Sequence, residues 1–222
     1  MIVVHHLENS RSHRVLWLLE EFGLAYEVER YARDPKTLLA PPALRAVHPL
    51  GKSPVVVDGD VTLAESGAIL EYLVEQNPDA GLAPTPGSAE RARYLYWLHF
   101  SEGSAMPPLL MKLVLERMAA APPWPIRPVV AAVARRVQTT VVSPRIADNL
   151  DLMEAELGRS IWFAGEAFSA ADIQMSYPVE ASARRGGLDK SRPRLIAYLQ
   201  RIRERPAYLR ALERGGGFAI PA

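Results

Sequence analysis

Two short segments combine charged and hydroxyl side chains in a way that suits anion binding: Leu50-Gly51-Lys52-Ser53-Pro54 and Ala64-Glu65-Ser66-Gly67-Ala68. The second stands where an apolar periodicity begins, so Glu65 and Ser66 can cap a helix start. The same unpaired amides, with the positive end of the helix dipole, also make a seat for a carboxylate. The first segment contains Gly-Lys-Ser, the ending of a phosphate-binding loop. That motif needs a glycine five positions before Gly51, where the chain has Ala46, and Pro54 blocks the helix that should follow. A nucleotide site is excluded, and taken alone Lys52 reads as a solvated lysine in a turn. A third polar segment, Glu8-Asn9-Ser10-Arg11-Ser12, precedes another apolar periodicity, where Ser10 or Ser12 can act as the cap. The chain has no cysteine, which removes disulfides, thiolate metal sites and cysteine nucleophiles together. His5, His6, His13, His48 and His99 show no ligand spacing, so no metal site is expected.

The elements that must position these segments follow from periodicity. Ile2–His6 reads as a strand, then Val15, Leu18, Leu19 and Phe22 mark one apolar stripe of a helix that Gly23 ends. Tyr26–Tyr31 reads as a second strand, placed parallel to the first by a right-handed crossover. Residues 34–50, rich in Pro, Leu and Ala, read as an irregular loop with a short helix. Pro54–Val57, the Asp58-Gly59-Asp60 turn and Val61–Leu63 read as a hairpin, and Ile69, Tyr72 and Leu73 as an amphipathic helix to about Gln76. Beyond a Pro- and Gly-bearing linker the strand signals vanish. Long helices are expected over Ala89–Met118, with Glu102-Gly103-Ser104 bending it, and over Pro128–Leu157. Shorter ones follow over Ala170–Arg184, Pro193–Arg205 and Ala207–Arg214, with a kink or early stop at Pro178. Ser169 and Asp172 have nearly the spacing of a capping box, a structural device rather than a chemical one. The Gly215-Gly216-Gly217 run is expected to end the ordered part. The reading is thus an α/β domain followed by an all-α one: residues 1–77, a linker over 78–88, and residues 89–222.

Composition bounds the function. The 222 residues carry 26 Lys and Arg against 25 Asp and Glu, a net charge of +1, which gives no reason to expect nucleic acid. The first ten residues lack the basic and apolar regions of a signal peptide, and no apolar run is long enough for a membrane helix, so a cytoplasmic, non-membrane protein is expected.

The element order and local motifs resemble those of the cytosolic glutathione transferases over essentially the whole chain: a thioredoxin-like domain, then a helical bundle. The likeness is closest to a bacterial and fungal subgroup whose first helix opens with Ser-Arg-Ser-x-Arg, here Ser10-Arg11-Ser12-His13-Arg14. The resemblance implies that Pro54 is cis and that the Ser53 main chain pairs with the cysteinyl part of glutathione, as sheet-edge peptide recognition does. It implies that Lys52 meets the glycyl carboxylate, that Ser66 donates to the γ-glutamyl carboxylate, and that Glu65 pairs with the ammonium. Glutathione chemistry needs the thiolate, because a free thiol has a pKa of about 8.5. The turn before the first helix would favour it through Ser10, through Asn9, which falls at the family's usual serine slot, or with electrostatic help from Arg11. Tyr94, Trp97, Phe100, Met106 and Met111 are candidate walls for an apolar electrophile, although each is also an ordinary core residue. The implied reaction is conjugation of glutathione, as co-substrate and with no further cofactor, to a small apolar electrophile. A glutathione-dependent peroxidase or disulfide reductase, or a non-catalytic glutathione- or ligand-binding protein, stays open beside it. A homodimer is implied, with Tyr72, Arg91 and Arg93 near its interface.

Overall fold

Four strands form one mixed sheet in the computed structural model, which describes residues 1–34, 37 and 39–218. Strands β1 (Ile2–Leu7), β2 (Tyr26–Tyr31), β3 (Val55–Asp58) and β4 (Val61–Ala64) lie in the order β2-β1-β3-β4. Helix α1 (His13–Phe22) makes the crossover that leaves β1 and β2 parallel, with Val4 beside Val28. The other pairs are antiparallel: Val4 faces Val56, and β3 turns into β4 through Gly59, whose φ of 58° suits the tight turn. Helices α2 (Ala43–Val47) and α3 (Ser66–Gln76) complete this domain. The loop expected over residues 34–50 holds α2, while Pro35, Lys36 and Leu38 lie outside the described residues.

Helix α1 departs from the single stripe expected of it. Every residue from His13 to Glu20 is buried, including Arg14, because the helix is sandwiched between the sheet domain and helices of the second domain. A helix covered on all sides needs no polar face. Gly23 ends it in the left-handed conformation, as expected. Neither Ser10 nor Ser12 caps it with a side chain: Ser12 sits at the N-cap with its hydroxyl turned away, to His6 Nδ1 at 2.8 Å.

The second domain is entirely helical. Helices α4 (Ala89–Phe100) and α5 (Met106–Ala120) run on from one another through a single wide, π-helical turn at Ser101–Ala105, the place where Glu102-Gly103-Ser104 interrupts the helical pattern. A second such turn, Gln138–Val142, joins α6 (Arg127–Val137) to α7 (Ser143–Glu156). Helices α8 (Ala170–Ala181), α9 (Pro193–Arg203) and α10 (Pro206–Gly215) follow.

All of α8 is buried, and α1, α3, α4, α5 and α9 pack against it. Its start is the capping box read from Ser169 and Asp172: Ser169 N donates to Asp172 Oδ2 at 2.9 Å, and Phe163 N donates to Oδ1 at 2.9 Å. Pro178 does not stop this helix, which runs on to Ala181. A proline without N–H frees the carbonyl four residues back, and here that is Gln174 O. Arg14 Nη1 and Ser101 Oγ each donate to it at 2.9 Å, so the defect becomes a docking point for α1 and α4. The glycine run does not end the packed chain either. Phe218 stacks on the His13 ring with centroids 4.8 Å apart.

Candidate functional site

Pro54 ends the β1–β3 ladder because it cannot donate to it. The Ser53 hydroxyl takes over, accepting from Leu7 N at 3.0 Å and donating to His5 O at 2.8 Å. The Ser53 side chain therefore clamps β1, and only its main chain is left to meet a ligand. The Ser53–Pro54 bond is cis. Glu65 is held at φ 71°, a backbone conformation that costs a non-glycine residue about 1–3 kcal/mol and clusters at functional sites. No side chain caps α3, so its first amides face whatever lies before them.

What lies before them is a cavity of about 330 Å³ between the two domains. Lys52, Ser53, Pro54, Glu65 and Ser66 all line it, together with Arg11, Glu102 and Met106. The two segments singled out in the sequence thus converge on one space. Arg14 stands behind it, wholly buried, and orders its polar wall. Its Nη2 donates to Ser66 Oγ at 2.9 Å and to Glu102 Oε1 at 2.6 Å. Arg11 Nε lies 3.0 Å from the same Glu102 oxygen. Burial alone would raise the Glu102 carboxyl, but Arg14 and Arg11 outweigh it and hold the group below the usual carboxylate range. Burial also lowers the Arg14 value; from so high an ordinary value a guanidinium stays charged.

A second cavity of about 340 Å³ opens beside the first and shares Arg11, Leu50, Lys52 and Ser53 with it. Ser10, Arg33, Arg45 and Tyr177 line its far part. Ser10 reaches this cavity only marginally, being 5% exposed, and its hydrogen bonds run inward. His6 Nε2 lies 3.1 Å from Gly215 O, an acceptor only, so that nitrogen carries the proton. Burial, the dominant cause, keeps the ring neutral, with its pKa lowered to about 4, so Nδ1 accepts from Ser12. Ser12 Oγ, its proton so committed, accepts from Ser10 Oγ at 2.7 Å. The chain of donors points Ser10's proton away from the cavity. Asn9, at φ 53°, lines neither cavity.

The apolar candidates divide. Met106 lines the first cavity. Tyr94 and Trp97 line neither cavity, being 0% and 2% exposed, because α4 turns them into the bundle, where Trp97 packs against Phe163 at 4.9 Å. Phe100 is buried with them, and Met111 is exposed. For Tyr94, Trp97 and Phe100 the apolar signal was that of a core. Arg14, Glu102, Arg33 and Tyr177 are parts of the site whose roles the sequence left unassigned. For Arg14 there was a signal: a lone arginine followed by the apolar run Val15-Leu16-Trp17-Leu18-Leu19 needs buried partners. Among the described residues no cluster of His, Cys, Asp and Glu is placed to hold a metal ion, and no helix is long and apolar enough to cross a membrane.

Around one cavity the geometry offers a small ligand the cation of Lys52, the start of α3 and the main-chain edge at Ser53, with Arg11 paired to Glu102 beside them. Known proteins bear the same plan. Residues 1–75 match the glutathione S-transferase N-terminal domain, and residues 123–206 match the glutathione S-transferase C-terminal domain. Glutathione S-transferase 3 of Schizosaccharomyces pombe is 38% identical over 96% of this chain and 88% of its own. Glutathione S-transferase 1 of Saccharomyces cerevisiae is 30% identical over 96% of this chain and 95% of its own. The crystal structure of a glutathione S-transferase from Actinobacillus pleuropneumoniae superposes with a TM-score of 0.81 at 32% identity, covering 98% of this chain and 94% of that one. A sphingomonad glutathione S-transferase complexed with glutathione superposes at 0.74 and 28% identity, covering 96% of this chain and 98% of that one. With its thioredoxin-like sheet domain, its helical second domain and the cavity between them, this chain belongs to the glutathione S-transferase family.

Proposed function

We propose that this chain binds glutathione along the first cavity and joins it, through its thiolate sulfur, to a small electrophile admitted through the second. In this reading Ser66 and the first amides of α3 take the γ-glutamyl carboxylate, Glu65 pairs with the ammonium, the Ser53 main chain pairs with the cysteinyl unit, and Lys52 meets the glycyl carboxylate. One observation carries it: Lys52, Ser53, Glu65 and Ser66 line the same cavity, at a size that suits a tripeptide. Arg14 refines it. Because Ser66 Oγ accepts from Arg14, its own proton is left for the ligand carboxylate.

The thiol would then lie where the two cavities meet, beside Arg11. Of the three residues considered for the thiolate, we favour Arg11. Ser10's proton is engaged by Ser12, and Asn9 stands off the cavities. A guanidinium beside the sulfur favours the anion, and about 2 pKa units of lowering, near 2.7 kcal/mol, makes the thiolate the main form at pH 7. The sulfur then bonds to the electrophilic carbon, with a leaving anion departing in substitution or a solvent proton taken up in addition. Met106 supplies apolar wall; Tyr94 and Trp97 serve the core. The division into residues 1–77, a linker over 78–88 and residues 89–222, a cytoplasmic setting and a homodimer belong to the same proposal. Tyr72, Arg91 and Arg93 remain its interface candidates, each of them also engaged within the chain, by Asp58, the Tyr94 ring and Glu156.

Calorimetric titration with glutathione, paired with a conjugation assay on 1-chloro-2,4-dinitrobenzene, tests this reading. Saturable binding with turnover is expected. Binding without turnover would make the protein a glutathione-binding module, and no binding at all would remove the proposal.

A further inference from the structure

The end where α5 passes into α6 is apolar and basic at once. Every residue from Pro123 to Val129 is exposed, and Trp124 stands 84% exposed between Pro123 and Pro125. Met118 before it and Ile126 after it are exposed as well, as are Val129 and Val133, one turn apart on α6. An exposed group of large apolar side chains, unlike a lone one, needs a cause. Charge sets this end apart too. Residues 117–147 contain no Asp or Glu, while Arg117, Arg127, Arg135 and Arg136 are all exposed. The whole chain carries only +1, so its other residues are together negative. Among the described residues no carboxylate pairs with these four arginines; Glu116, the acid just before them, lies 3.9 Å from Lys112.

We infer that this end docks on an anionic lipid surface. Trp124, Ile126 and Val129 enter the headgroup layer, and Arg117, Arg127, Arg135 and Arg136 meet the anionic headgroups. An indole settles at the boundary between water and acyl chains, aliphatic side chains reach below it, and each arginine near an anionic leaflet adds attraction. One surface thus answers both the apolar group and the charge. A second copy answers only the first, because a twofold axis would set the arginines of one patch against those of the other. The dimer-interface candidate Arg91 also lies far off, about 40 Å from Met118 along the continuous α4–α5 run at about 1.5 Å per residue. A soluble polyanion answers only the arginines. The attachment is peripheral and reversible, made by side chains rather than by a spanning helix, and it revises the sequence expectation of a protein that meets no membrane.

The protein carries its own probe. Trp17, Trp97 and Trp162 are buried, so Trp124 is the tryptophan that water reaches. The full chain is titrated with vesicles of phosphatidylcholine alone and of phosphatidylcholine with about 30 mol% phosphatidylserine. Partitioning is expected to be about tenfold stronger to the anionic vesicles at low ionic strength and to weaken in salt. Tryptophan emission should move to shorter wavelength on those vesicles and be quenched by brominated lipid. In vesicle sedimentation, Trp124→Ser with Ile126→Ser should weaken partitioning about tenfold. Arg127→Gln, Arg135→Gln and Arg136→Gln together should bring the preference for the anionic vesicles below about threefold. All five positions are exposed, and unchanged urea midpoints check that the variants fold. Failure to partition onto anionic vesicles overturns the inference, as does partitioning that both sets of substitutions leave intact. Heparin bound as tightly as the vesicles, with tryptophan emission unmoved on either, would make this a general polyanion site and also overturn it. So would a dimer that dissociates in Trp124→Ser with Ile126→Ser, seen by sedimentation equilibrium, since a second copy would then cover the patch. None of these measurements uses glutathione, so this inference and the glutathione reading fail separately.

Discussion

Arg14 Nη2 donates to Ser66 Oγ at 2.9 Å from a position with no solvent access, so the hydroxyl at the start of α3 is oriented from behind. The same guanidinium holds Gln174 O, Ser101 and Glu102 of the helical domain. One side chain of α1 thus ties the polar wall of the cavity to the way the two domains dock.

Ser66→Ala should weaken glutathione binding about 10- to 100-fold, the value of a hydrogen bond to a charged group whose partner is left buried. The turnover number at saturating glutathione should change much less. Calorimetry and steady-state kinetics check this, and an unchanged Kd would remove Ser66 from the ligand.

Arg11→Gln should raise the thiol pKa of bound glutathione by about 1 unit and lower kcat/KM about tenfold below that pKa. Ser10→Ala should lower kcat/KM less than about threefold, because the hydroxyl proton it removes points to Ser12. Thiolate absorbance followed against pH separates the two. The reverse ranking would return the role to Ser10.

Acid should destabilise the fold through its buried histidines. Burial lowers His13 to about 3 and His6 to about 4 from 6.5, so their contribution is complete above 6.5 and is lost as pH falls toward the folded values. Between pH 7 and 5 each loses about 2 kcal/mol. Asp172 works in the opposite sense. Burial raises it to about 6 despite three hydrogen-bond donors, so the fold gains about 1 kcal/mol as it protonates over the same interval. His13→Phe, at a ring stacked on Phe218 and edge-on to Tyr208, should recover about 2 kcal/mol at pH 5 in urea denaturation. A pH 5 deficit that persists in this variant would show that His13 is not its source.

Ser169→Ala removes the hydroxyl from the capping box of α8 and should cost about 1–2 kcal/mol, read as a lower urea midpoint at an unchanged slope. Glutathione affinity of the folded protein should stay as it was. A matching loss of affinity would mean that the box shapes the cavity as well as the helix.

Local chemistry made much of this protein legible from residue order alone. Short strand-forming runs marked the strands, Asp-Gly the hairpin, Gly23 a helix end, and Ser169 with Asp172 a cap, because each depends on neighbours within a few positions. The two segments that line the first cavity were legible for the same reason. Pairings between distant residues were not. Ser10 and Ser12 read as caps, yet the Ser12 hydroxyl bonds the buried His6 imidazole and the Ser10 hydroxyl bonds Ser12. Pro178 read as a break, yet the carbonyl it frees, that of Gln174, is satisfied by Arg14 from 160 positions earlier in the chain. Tyr94 and Trp97 read as pocket wall as readily as core, and only the packing of α4 against α8 decided between them. Short-range geometry is written in spacing, whereas the partner of a buried polar group is chosen by whichever acceptor the closed structure leaves unmatched.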